Sequence, residues 1–102
     1  MTQEIKTTLQ FLWCPDVEAG LIIETSAAPL MWMRLEDVEL QAGWQIETLA
    51  IGGHTHRASN PDLRSLKLPP VGPGLNVTIR VRNTASEKRQ FPGAQIVGTT
   101  VR

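Results

Sequence analysis

The sequence predicts an all-β protein, a single small β-sandwich or jelly-roll-like domain over residues 1–102. Three observations carry that expectation. Leu75, Val77, Ile79 and Val81 alternate strictly with Asn76, Thr78, Arg80 and Arg82, which is the two-residue period of a half-buried strand. Short apolar runs are separated by Gly- and Pro-containing turns along the whole chain, the spacing of an antiparallel β protein. No segment shows the long 3.6-residue apolar period that would call for a packed helix.

Taken in order, the elements read as follows. Ile5, Thr7, Leu9, Phe11 and Trp13 fall on one face, with Glu4, Lys6, Thr8 and Gln10 on the other, so the first strand runs to Pro15-Asp16. Leu21 to Thr25 is a short apolar run between Gly20 and a Ser26–Pro29 turn. Leu30-Met31-Trp32-Met33 is another, apolar on both faces if extended. Arg34 to Gln41 fits neither period cleanly, because Leu35, Val38 and Leu40 are unevenly spaced. Gly43 to Ile51 is a strand stopped by Gly52-Gly53. A helical turn is expected over 60–64, with Asn60 as cap and Pro61 in the first helical position. Pro69 to Gly74 is loop, and Asn83 to Arg89 is a polar connection after the 75–82 strand. The last strand, 91–101, is expected to pair antiparallel with 75–82, with Pro92-Gly93 marking a bulge or an unpaired edge.

A chain of 102 residues with 41% hydrophobic and 20% charged residues can bury one core and lies outside the disordered regime. The single cysteine, Cys14, precludes an internal disulfide. Met1 to Lys6 lacks the basic start and apolar run of a signal peptide, and no apolar stretch reaches the roughly 18 residues needed to cross a bilayer. Synthesis in the cytoplasm without export, and no membrane partner, are the expectations. Charge is divided between the halves. Residues 1–50 hold eight acids against two bases, and residues 51–102 hold eight bases against two acids. Either the two halves interleave and neutralise each other within one sandwich, or the molecule has an acidic and a basic face that draw copies together.

Candidate chemistry is sparse. His54 and His56 share a face of an extended segment and could grip one metal ion, with Glu47 or Asp62 as further ligands, which is the basis of a cupin-like metal-enzyme alternative centred on 54–56. Cys14 beside Pro15 has no second cysteine to form a redox pair, and reads as a small hydrophobe at a strand end. No nucleophile elbow, phosphate-binding loop, dinucleotide fingerprint or zinc-protease motif occurs, so no enzyme activity, catalytic residue or cofactor is expected. Asn76-Val77-Thr78 matches a glycosylation sequon inside a strand and is read as chance. Arg80, Arg82, Lys88 and Arg89 form a basic stripe that could meet phosphates, a nucleic-acid-binding alternative disfavoured by the missing stacking aromatics and the net neutrality. Trp13 and Trp44 occupy core-facing positions, whereas Met31, Trp32 and Met33 combine residue types enriched at protein interfaces.

The C-terminal third, a Pro/Gly loop followed by Asn76 to Thr84 and then Phe91-Pro92-Gly93-Ala94-Gln95-Ile96-Val97-Gly98, resembles the ending of small β-sandwich structural proteins of phage virions. That resemblance implies a capsid or decoration protein that packs against copies of itself or other virion proteins, located in the virion. Interface residues are expected to be Met31, Trp32 and Met33, which supply apolar area, and Arg80, Arg82, Lys88 and Arg89, which meet acids of a neighbouring subunit.

Overall fold

The computed structural model describes residues 5–57 and 62–101. Among these residues nine strands and one short 3-10 turn follow in order: β1 Lys6–Phe11, β2 Cys14–Val17, β3 Ile22–Ala27, β4 Met33–Glu39, β5 Trp44–Ile51, β6 His54–Arg57, η1 Leu63–Leu66, β7 Val77–Asn83, β8 Arg89–Phe91 and β9 Ala94–Thr100. They form a three-stranded sheet β1-β9-β4, a two-stranded extension β2-β8, and a four-stranded sheet β3-β7-β5-β6. All pairings are antiparallel. The inward rows of the two larger sheets meet in one core: Leu9, Met33, Leu35 and Ile96 from one side, Ile46, Leu49, Ile79 and Val81 from the other. The expected all-β, sandwich-like architecture is what the chain adopts.

Alternation places most core residues. β7 is buried at Val77, Ile79 and Val81, as its strict period requires. The uneven 34–41 segment is a strand after all: β4 buries Met33, Leu35 and Val38, and a register shift between Leu35 and Asp37 marks a bulge around Glu36. One extra residue moves the inward row from odd to even positions, which is why neither period fitted. β5 repeats the device, with a shift between Ile46 and Thr48 and inward residues Trp44, Ile46, Leu49 and Ile51.

Several expectations are corrected. The 75–82 and 91–101 segments do not pair: β7 lies between β3 and β5, while β9 lies between β1 and β4 in the other layer. Local order suggested a hairpin, but each segment is apolar enough to sit centrally, and central strands need two partners each. The first strand does not end at Pro15-Asp16; it breaks at Leu12-Trp13 and resumes as β2, opposite the Pro92-Gly93 break between β8 and β9. Trp13 leaves the core face at that break and is 59% exposed. Leu30 to Trp32 is a crossing loop, and only Met33 belongs to a strand. The helical turn is η1, capped by the Asp62 carboxylate accepting from the Arg64 amide at 3.0 Å; Asn60 and Pro61 lie outside the described residues.

Candidate interaction surface

The chain crosses from β3 to β4 through Ala28–Trp32 at one end of the sandwich. The backbone of this loop is tied down. Met33 and Val71 exchange hydrogen bonds of 2.8 and 2.9 Å, and the Val101 amide donates to the Trp32 carbonyl at 3.0 Å. Apart from buried Pro29, its side chains are not covered. Leu30 is 94% exposed, and Met31 and Trp32 are each 52% exposed, with Ile5 at 51% on the adjoining start of β1, where the Ile5 carbonyl accepts from Thr100. The Trp32 indole lies so close on Gly72 that a Cβ there would overlap the ring. A held backbone presenting four large apolar side chains to water is the most exposed apolar surface at that end.

Beside it runs a cleft of about 300 Å³, walled by Thr7–Gln10 of β1 on one side and Ala27–Met31 on the other. A second, more open depression of about 450 Å³ lies at the far end of the three-stranded sheet, where Gln10, Gln95 and Glu39 stand in one row across the strands beside Gln41 and Gly93. Gln95 donates its amide hydrogen to Glu39 there, so two polar groups of that row already serve one another.

Met33 has no surface to offer a partner: it is 2% exposed, because it is the first inward residue of β4 rather than the end of an extended run. The charged stripe is likewise occupied within the chain. Arg80 pairs with Glu24 at 3.0 Å, Arg82 with Glu47 at 2.6 Å and Lys88 with Glu18 at 3.5 Å. Basic β7 is flanked by β3 and β5, both from the acidic half, so the halves interleave and neutralise as the first charge reading expected. Arg80, Arg82 and Lys88 therefore have acidic partners within the chain. Arg89 turns inward: it donates to the Asn83 side chain and to the Gly43 carbonyl, and its guanidinium lies 4.8 Å from the Trp44 ring centroid.

Charge elsewhere serves the fold in the same way. The Glu36 carboxyl, re-aimed by its bulge, accepts from Thr99 and from the Lys6 ammonium at 3.0 Å, with Arg64 at 4.0 Å. The Thr99 and Lys6 hydrogen bonds outweigh desolvation and hold its pKa below the ordinary carboxylate value. His54 and His56 sit on edge strand β6 opposite Ile51 and Leu49. Glu47 is held by Arg82 and the Asp62 carboxylate caps η1. Among the described residues no three His, Cys, Asp or Glu side chains converge on one point. Cys14 is half-buried on β2 opposite Phe91.

Leu30 and Ile5 are the surface residues that sequence patterning missed. Leu30 follows Ala28-Pro29, and its place beside a proline, a residue that marks turns, is the signal that favours a loop over a strand there. Ile5 matched the inward face of β1 but lies beyond the last covered turn. Comparison with known proteins adds no relative, since no family model, curated protein or solved structure matches the chain.

Proposed function

We propose that the chain is a non-catalytic structural protein that packs against copies of itself or onto a larger shell, as a component of a virion. The observation that carries the packing is the apolar end formed by Leu30, Met31, Trp32 and Ile5 on a pinned backbone. Met and Trp are interface residues by composition, and at about 25 cal/mol per Å² their burial against a second surface supplies much of an association free energy. The virion assignment draws its support from the resemblance of residues 76–98. The internal pairing of Arg80, Arg82 and Lys88 favours an apolar rather than an ionic contact, so assembly should persist as salt rises. Light scattering of the untagged protein over a concentration series, at low and moderate salt, tests this. A discrete oligomer or growing assembly at both salts is expected, weakened by Leu30→Ser and Trp32→Ser. A monomer at every concentration overturns self-packing.

A further inference from the structure

We infer that β1 is a self-pairing edge, at which two copies join antiparallel about Thr8 into one continuous sheet; this rests on the self-packing reading above and names its seam. Among the described residues the two larger sheets have four outer strands: β1 and β4 in one, β3 and β6 in the other. Proteins blunt such edges with charge, bulges, brevity or a cover. β4 carries Arg34, Glu36, Asp37 and Glu39, a bulge, and η1 packed against it. β6 carries Arg57 and the two histidines along its described length. β3 carries Glu24 near its centre, so self-pairing would bring that acid close to its own mate. β1, although β3 of the facing sheet packs beside it, lacks a central charge, a bulge and brevity: it is six residues long in unbroken register with β9, and its one charge, Lys6, stands at its start.

The backbone fixes how a second strand would dock. Ile5 and Thr100 form a hydrogen-bonded pair, so by antiparallel alternation Thr7 and Leu9 turn their amides and carbonyls toward β9, while Lys6, Thr8 and Gln10 turn theirs outward. A two-fold axis at Thr8 sets Thr8 against Thr8 and Lys6 against Gln10 of the second copy, each pair exchanging two hydrogen bonds. No like charges face one another, and the Thr–Thr pair is a favourable cross-strand contact. Apolar groups left open by the monomer close at the same time. Ile5, 51% exposed just before β1, arrives opposite Phe11 of the second copy. The Ala27–Met31 walls of the two clefts meet beneath the seam, taking Leu30 and Met31 out of water together.

Thr8→Pro is the first test, because the Thr8 amide faces outward and its loss spares the β1–β9 ladder. Wild type is expected to give a dimer in light scattering. Thr8→Pro, with unchanged far-ultraviolet circular dichroism, is expected to dissociate about tenfold or more readily, having lost one hydrogen bond from each copy. In a Cys14→Ala background, Thr8→Cys should cross-link between copies on mild oxidation, because hydrogen-bonded pairs lie about 5.5 Å apart between Cα atoms, within disulfide range. Gln10→Cys in the same background should not, since its mate is several residues away. If Thr8→Pro fails to fold, the cysteine pair decides. Wild type that assembles while Thr8→Pro assembles equally, or Gln10→Cys that cross-links as well as Thr8→Cys, overturns the seam and leaves self-packing standing. Monomeric wild type overturns both.

Discussion

Replacing Asn83 by alanine should unravel the end of the molecule where β2, β7 and β8 converge. Asn83 is fully buried. Its Nδ2 donates to the carbonyls of Val17 and Glu87, both at 3.0 Å, and its Oδ1 accepts from the Ala85 amide at 3.0 Å and Arg89 Nη2 at 3.1 Å. An ordinary hydrogen bond is worth about 1 kcal/mol net, but a buried group left unsatisfied costs about 1–3 kcal/mol. Alanine orphans the Val17 carbonyl and the Ala85 amide and frees Arg89 from its anchor, so the expected loss is about 3–4 kcal/mol against a total stability of about 5–15. In a domain of this size that corresponds to a fall in Tm of at least about 12 °C. Urea titration followed by tryptophan fluorescence reads it directly, because Trp44 packs on Phe91 at 4.9 Å and under Arg89. Glu87→Ala is the control: Asn83 uses the Glu87 backbone, so that change should stay within about 0.5 kcal/mol. A loss below about 1 kcal/mol for Asn83→Ala would refute the reasoning.

Met33→Ala should cost about 2–5 kcal/mol by opening a cavity, whereas Met31→Ser, two residues away and half exposed, should stay within about 0.5 kcal/mol; denaturant midpoints of the two separate core from surface. Gly98→Ala should cost about 2–4 kcal/mol, because the added methyl meets the Arg34 carbonyl and the Met33 side chain in the middle of the three-stranded sheet; a midpoint equal to wild type would show that β4 yields freely there. The Glu36 pKa is lowered in the folded protein, chiefly by Thr99 and then Lys6, so its contribution is present above the ordinary carboxylate value of 4.5 and lost as pH falls through the folded value. The stability difference between wild type and Glu36→Gln should therefore shrink from pH 6 toward pH 3; a constant difference would exclude ionisation as its source.

How much of this could be read beforehand depended on the element. β7 was legible because its alternation is unbroken and both of its faces have one character each. β4 was not, since the bulge at Glu36 shifts the inward row partway along, and a period count averages over the slip. Pairing was less legible still: β7 and β9 are neighbours in sequence and each looks like half of a hairpin, yet the layer a strand joins is set by distant partners. For the surface, composition pointed to Met31 and Trp32 and alternation then drew in Met33 by assuming a strand where the chain forms a loop. The arginines were singled out as a stripe because sequence shows charges without their counter-ions. Glu24 and Glu47 lie 56 and 35 residues from Arg80 and Arg82.

The register of β1 against β9, which sets Lys6 opposite Thr99, has a consequence for how the protein is made. β1 receives its partner from a strand about 90 residues further along the chain, with Lys6 and Thr99 93 positions apart, and β4 waits for the same strand. Neither pairing can be completed until β9 has emerged. Pairings of such long sequence separation place folding in the slow regime of about milliseconds to seconds. Throughout that interval β1 carries two unpaired edges rather than one, in a cell crowded with other copies. Chains truncated before Ala94 would remain in that state permanently, and should be recovered as aggregates rather than as a smaller sandwich.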